Sequence, residues 1–333
     1  MRLDDLNNLK KSTFIDWSVL NDKTVYVTGA TGLIGSSVVK SILYCCNARV
    51  VVQVRNESKA KKIFSDKVQY VVADSLSKPK YSGRVDYIIH CANPTSSKFF
   101  ISNPVETIDI AVNGALNILE FAKDKKVNGF IFLSTMEVYG KPEKGHKVRE
   151  NECGVFDPSV VRNCYPLSKQ VCENLCAAYF GEYQVPTRVV RLTQTFGPGV
   201  EYNDARVFAE FARCAIEKRD IILKTKGETE RSYLYITDAV SAIISVLLDG
   251  EDGEIYTAAN ESTFCSIYEM ALLVSELGKI NVTIEEQDIS RFGYASTLHM
   301  DLDTSKLRNL GWYPQISLKN AYQRMIKDME SQK

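Results

Sequence analysis

Apolar runs alternate with stretches of helical periodicity along the first half of the chain. Val25 to Thr28 reads as a short strand. Leu33 to Cys46 reads as the helix after it, with Leu33, Ile34, Val38, Val39 and Ile42 at helical spacing. Arg49 to Arg55 has the mostly continuous apolar character of a parallel strand covered on both faces. Val68 to Ala73, Tyr87 to Ala92, Phe130 to Thr135 and Thr187 to Leu192 repeat the strand pattern. Pro104 to Lys123, and a segment starting near Asn163, repeat the helical one. Such alternation predicts a parallel sheet with helices on both faces. Beyond about Gly199 the elements shorten, with helices over Asn203 to Lys218, Thr237 to Leu248 and Ser266 to Leu277 and a strand near Ile221 to Leu223. The pattern divides the chain into an N-terminal helix and linker over 1–22, held by Phe14, Ile15 and Trp17, a main domain over 23–198, and a smaller lobe over 199–333 from which some chain crosses back.

The first strand meets its helix through Thr28-Gly-Ala-Thr-Gly-Leu-Ile-Gly35. Residues without Cβ let a backbone approach a pyrophosphate at a helix N-terminus, and the last glycine lets helix and strand pack closely. Strand before and helix after are the context that makes this turn a dinucleotide site rather than a plain connection. Gly29, Thr31, Gly32, Leu33, Ile34 and Gly35 are therefore the expected cradle. At the end of the second strand, Arg55 stands where an acid would hold the ribose 2′-hydroxyl of NAD. An arginine there holds a 2′-phosphate, which leans toward NADP; the plain alternative is a solvated strand end. Asp74, with Ser75, is placed to meet the adenine, or is a turn residue. Cys91 and Ala92 end the fourth strand on the same sheet edge, and Asn93, Pro94 and Thr95 follow as a candidate substrate loop. His90, inside that strand, reads as structural.

Lys+Arg and Asp+Glu both number 41, so the net charge is zero and bulk attraction to nucleic acid is not expected. Nine scattered cysteines without a C-x-x-C pair, and three histidines, argue against a zinc site and suit a reducing cytoplasm. No apolar run is long enough to span a bilayer, so no membrane role is expected.

The fifth strand delivers Ser134, Thr135, Met136 and Glu137 to the sheet edge, and Tyr165 and Lys169 lie one helical turn apart on the next helix. Removing a hydride from a carbinol needs a base for the hydroxyl proton. Tyrosine, with an ordinary pKa near 10, serves only if a nearby cation favours its phenolate. Tyr165 is then the base, Lys169 its tuner and a cofactor-ribose ligand, and Thr135 the hydroxyl that orients the substrate oxygen. The alternative is a core tyrosine beside a solvated lysine.

These motifs resemble the extended short-chain dehydrogenase/reductases that act on nucleotide sugars. The likeness also covers Arg231-Ser-Tyr-Leu-Tyr-Ile-Thr-Asp238, Asp303-Thr-Ser-Lys-Leu307 and Leu310-Gly-Trp-Tyr-Pro314. Within that family the chain is most similar to UDP-glucuronate decarboxylases, through Arg162-Asn-Cys-Tyr-Pro-Leu-Ser-Lys169, Asn203-Asp-Ala-Arg-Val207 and His90-Cys-Ala-Asn-Pro94. The resemblance implies an α/β fold, a doubly wound Rossmann sheet with a smaller C-terminal substrate-binding lobe. It also implies a homodimer joined through a helix bundle, and a tightly held nicotinamide reduced and reoxidised in one turnover. Arg206, Arg231 and Arg291 are candidates for a UDP-sugar diphosphate, because guanidinium matches phosphate, and Thr195 for a nearby contact.

Met136 stands where the 4,6-dehydratases carry an aspartic acid, and a thioether cannot protonate a leaving hydroxyl. Dehydration is therefore disfavoured. Decarboxylation and C4 epimerisation both remain, since neither needs that acid, with Glu137 a base at C5 or a water-positioning residue. A reading from another class is a non-catalytic NAD(P)-binding protein, for which the substrate arginines would have no use.

Overall fold

The computed structural model describes residues 1–287 and 297–333. Its strands are β1 (Thr24–Thr28), β2 (Arg49–Val54), β3 (Gln69–Val72), β4 (Tyr87–His90), β5 (Gly129–Thr135), β6 (Lys147–Val148), β7 (Thr187–Leu192), β8 (Gln194–Phe196), β9 (Ile221–Leu223), β10 (Glu230–Tyr235), β11 (Ile255–Ala258), β12 (Asn260–Ser266), β13 (Val282–Ile284) and β14 (His299–Leu302). Seven of them form a parallel sheet in the order β11-β7-β5-β4-β1-β2-β3. This is a Rossmann sheet, and its order reverses direction between β1 and β4, where doubly wound sheets open a crevice at their C-terminal edge. β11 comes from the second half of the chain, so that half does cross back into the sheet.

Why the sheet forms is visible in its burial. β1, β4 and β7 are buried at every position, as strands with helices on both faces must be. On one face pack the Leu33–Cys45 and Ile236–Asp249 helices, with Val38, Ile42, Val240 and Ile243 in the core. On the other pack the Pro104–Lys125 and Cys164–Tyr183 helices, through Ala115, Ile118, Cys172 and Cys176. A second core around Phe196, Phe208, Tyr233 and Tyr322 lies beneath short strands, among which β10 pairs with β8, β12 and β14. Leu33 and Ile34 pack against this second core, so the first turn of the helix after β1 touches both halves.

The N-terminal Leu3–Lys10 helix is fastened across the molecule. Its Asp5 is buried, pairs with Arg324 and accepts from the Tyr235 hydroxyl at 3.0 Å. Ile15 and Trp17 are buried as expected. Among the described residues no helix is long and apolar enough to cross a membrane.

Candidate active site

The turn after β1 is built as its glycines require. Gly29 has φ +63°, and a Cβ there would lie 2.6 Å from the Ala92 nitrogen; one on Gly35 would lie 2.4 Å from the Gly29 oxygen. The turn closes through Gly32 N–H to Gly29 C=O at 3.1 Å. The next helix starts at Leu33, so Leu33, Ile34 and Gly35 present N–H groups that no intrahelical acceptor takes. A cradle that any Cβ would fill, at a helix N-terminus, fits a dinucleotide pyrophosphate. β4 is locked beside it: Ala92 N–H donates to Thr28 Oγ1 at 3.2 Å and Cys91 N–H to Thr28 C=O at 3.3 Å. Cys91 is a thiol whose burial pushes its pKa up to about 12.

Further along the crevice the Asp74–Ser75 corner is pinned. Asp74 Oδ1 caps Leu76 N–H at 3.0 Å, Gln53 Nε2 donates to Asp74 C=O at 3.1 Å, and Asn117 Nδ2 donates to Ser75 C=O at 3.3 Å. Asp74 thus shapes the turn through Oδ1. Arg55 is exposed at the end of β2 and has no ion-pair partner among the described residues, while Asn56 beside it caps the Glu57–Phe64 helix. His90 is buried and uncharged: burial, then Lys169, brings its pKa down to about 3, and Nδ1 meets the Thr28 hydroxyl at 2.7 Å.

The catalytic candidates meet where β5 ends. Tyr165 is buried, and the Thr135 side chain lies close enough to act on its hydroxyl. Burial raises the Tyr165 pKa, and the Glu137 charge adds to the rise; the nearby Thr135 and Arg162 act in the other direction. Lys169 is buried behind Tyr165. Its ammonium donates to Leu133 C=O at 2.7 Å and lies 4.6 Å from the Phe132 ring centroid and 5.9 Å from that of Tyr165. Burial brings its pKa down to about 8, opposed by nearby Cys172 and Glu173. The expectation made Lys169 the cation that tunes Tyr165. In this structure Lys169 stands behind the Tyr165 ring, and the Arg162 guanidinium is a second cation that favours the phenolate.

The substrate candidates divide. Arg231 Nε is buried without a hydrogen-bond partner, and so are both amide atoms of Asn93. Orphaned polar atoms of this kind are what a polar ligand satisfies. Pro94 and Thr95 follow Asn93 in the same loop. Arg206 instead holds Asp204 through Nε and Nη2 at 3.0 and 2.5 Å. The Thr195 hydroxyl is spent on Thr193 C=O at 3.0 Å. Met136 is buried with Tyr139, Val148, Met300 and Leu302, and its sulfur accepts from the Thr193 hydroxyl at 3.2 Å. Glu137 is ion-paired with Arg162 at 2.9 Å. Arg291 lies outside the described residues.

Two neighbours escaped the sequence reading. Phe100 stacks on Tyr165 with centroids 4.1 Å apart and planes 10° from parallel, and Arg162 lies against the same Phe100 ring. Phe100 carried no signal. Arg162 carried one, standing three residues before the tyrosine.

A model of the NAD dependent epimerase/dehydratase family matches residues 25–259. UDP-glucuronic acid decarboxylase 3 of Arabidopsis thaliana is 31% identical over 310 residues, covering 91% of this chain and 88% of its own. UDP-glucose 4-epimerase of Thermotoga maritima, solved with UDP-glucose, has a similar fold with a TM-score of 0.80 at 21% identity, over 93% of this chain and 99% of that one. The Thermus thermophilus UDP-glucose 4-epimerase, solved with NAD, gives 0.78 at 21% identity over 92% and 98%. The chain is an extended short-chain dehydrogenase/reductase and belongs to the NAD-dependent epimerase/dehydratase family.

Proposed function

We propose that this enzyme converts UDP-glucuronate by oxidation at C4, decarboxylation and return of the hydride. The observation that carries the reading is the buried Tyr165, with Thr135 beside it at the end of β5 and Lys169 behind it, on the sheet edge that bears the glycine cradle. The relatives named as UDP-glucuronic acid decarboxylases supply the substrate.

Gly29, Thr31, Gly32, Leu33, Ile34 and Gly35 hold the pyrophosphate, Asp74 and Ser75 border the adenine, and Cys91, Ala92 and Lys169 border the nicotinamide ribose. Bound NAD(P)+ supplies the hydride acceptor. Tyr165 takes the C4 hydroxyl proton, with Thr135 fixing that oxygen in line. The resulting C4 ketone makes the C6 carboxylate a β-keto acid; loss of CO2 leaves an enolate whose oxygen Tyr165 and Thr135 stabilise, and a proton from solvent at C5 restores the ketone that takes the hydride back, with Tyr165 returning its proton to the C4 oxygen. Arg231, with its orphaned Nε, meets the diphosphate or the carboxylate, and Asn93 adds an amide. Met136 offers no acid, so water is not eliminated.

Three finer points belong to this reading. The unpartnered Arg55 favours NADP over NAD; side-by-side titration of both cofactors onto the protein and Arg55→Ala tests it, and equal losses for both would refute it. The second is a homodimer. Val105 and Ile108 are exposed at helical spacing and continue into Val112 and Leu116, beside exposed Val171 on the neighbouring helix. A monomer by sedimentation equilibrium would contradict that. The third is a cytoplasmic location, which nine free thiols favour and cell fractionation checks. The lobe division at about residue 199 is likewise our reading.

The test is incubation with a panel of nucleotide sugars, read by mass spectrometry and proton NMR. UDP-glucuronate losing the mass of CO2 supports the proposal. An unchanged mass with a moved C4 proton would make the enzyme an epimerase. No change with NAD(P) bound would refute both and favour a non-catalytic binding protein.

A further inference from the structure

Tyr165 sits in a cage that the tyrosine–lysine pair does not describe. Phe100, 1% exposed, lies flat against its ring at 4.1 Å. The Arg162 guanidinium is 4.9 Å from the Phe100 centroid and donates from Nη2 to Glu137 Oε2 at 2.9 Å. Glu137 comes from the turn that follows β5, two residues after Thr135, whose Oγ1 accepts the Glu137 N–H at 3.3 Å. Cys164, next to Tyr165, completes a small cluster with Phe100 and Tyr165, its Sγ 3.5 Å from the Phe100 carbonyl. The ring is thus held by three segments that meet only in the fold.

The charges facing Tyr165 can be named element by element. The turn after β5 brings Glu137. The turn over Val161–Asn163 brings Arg162. The tyrosine's own helix brings Lys169, whose ammonium is engaged by Leu133 C=O. The Ser97–Ser102 helix brings the uncharged Phe100, and β5 the uncharged Thr135. A carboxylate beside a tyrosine hydroxyl opposes its ionisation, and a guanidinium paired with that carboxylate removes the opposition. Arg162 and Glu137 are each about a third exposed, so their contact is open to water.

We propose that Arg162 is a positioning residue for proton transfer at Tyr165: it neutralises Glu137 and, through Phe100, holds the tyrosine ring against Thr135. The inference rests on the reading of Tyr165 as the base. Arg162 acts through its neighbours and need not touch the reacting atoms. Lys169 supplies charge from behind, and Arg162 pairs with Glu137, the carboxylate beside the tyrosine.

The test is the pH profile of kcat/KM on UDP-glucuronate for the parent, Arg162→Met, Glu137→Gln and the double variant. Arg162→Met leaves Glu137 unneutralised, so its acid limb should move up by about one pH unit, close to a tenfold loss at neutral pH. The double variant should return the limb to the Glu137→Gln position, whatever its absolute rate. Arg162→Lys keeps the charge without the planar fork and should fall between parent and Arg162→Met. A parental limb in Arg162→Met, or a double variant that keeps the shifted limb, would overturn the inference. Tyr165→Phe separates the two failures. If it turns over like the parent, the base reading is wrong; if it is inactive while Arg162→Met keeps the parental limb, only the role of Arg162 is wrong.

Discussion

Two arginine–glutamate pairs flank the catalytic strand end, and they are built for opposite purposes. Behind Lys169, Arg191 and Glu173 are 1% and 6% exposed and meet at 2.7 Å through Nη2. That pair is saturated: Ser134 donates to Glu173 at 2.5 Å, and Arg191 also donates to the carbonyls of Glu150 and Glu152. In front of Tyr165, Arg162 and Glu137 share one bond at 2.9 Å and are a third exposed. The first pair ties β7 to the Cys164–Tyr183 helix and fixes where Lys169 stands. The second rests on an aromatic ring and can be rearranged by a ligand. Burial decides the difference, because an unpaired charge is costly only where water cannot reach it.

Breaking the buried pair should have the largest effect. Arg191→Met is expected to cost about 3–5 kcal/mol, since Glu173 would remain as an uncompensated buried charge. Denaturant unfolding checks this, and a loss below about 1 kcal/mol would contradict the assigned role.

Lys169 gives the next effect, and its sign is fixed. Its pKa falls from 10.5 in the unfolded chain to about 8 in the fold. Between those values the unfolded state binds more protons, so this group's contribution to stability rises with pH across that window. The deficit of the parent relative to Lys169→Met should therefore be greatest below pH 8. It should shrink by roughly 3 kcal/mol as pH approaches 10.5. The lost bond to Leu133 C=O is constant with pH and does not alter the slope. Thermal melts of both proteins across pH 7–10.5 measure it, and parallel curves would be inconsistent with a depressed lysine.

The exposed pair should matter least for stability. Arg162→Met and Glu137→Gln are each expected to change unfolding free energy by less than about 1 kcal/mol. Their effect belongs to the pH profile. A loss as large as that of Arg191→Met would erase the contrast.

The sequence disclosed those features whose cause is local. The glycine turn was legible because backbone geometry demands it: Gly29 and Gly35 leave no room for a Cβ. Tyr165 and Lys169 were legible because four-residue spacing sets a shared helix face. The seven-stranded sheet followed from its alternation with helices, except that β11 could be placed only as chain crossing back. Hidden features depend on residues far apart in the chain. Phe100 meets Tyr165 across 65 positions, and Arg324 meets Asp5 across 319. β6, β8 and β14 have two to four residues, too few to carry periodicity. Residue type alone does not reveal how a side chain is engaged: Arg206 pairs with Asp204 and the Thr195 hydroxyl donates to a backbone carbonyl, whereas Arg231 keeps an orphaned donor.

The most direct measurement of the central claim is turnover of UDP-glucuronate labelled with deuterium at C4. Oxidation at C4 by a bound cofactor, followed by return of the same hydride, predicts a product that has lost CO2 and keeps deuterium at C4. It also predicts no net reduction of added NAD(P)+, and no product from Tyr165→Phe. Deuterium washed out of C4, or equal turnover by Tyr165→Phe, would contradict the account.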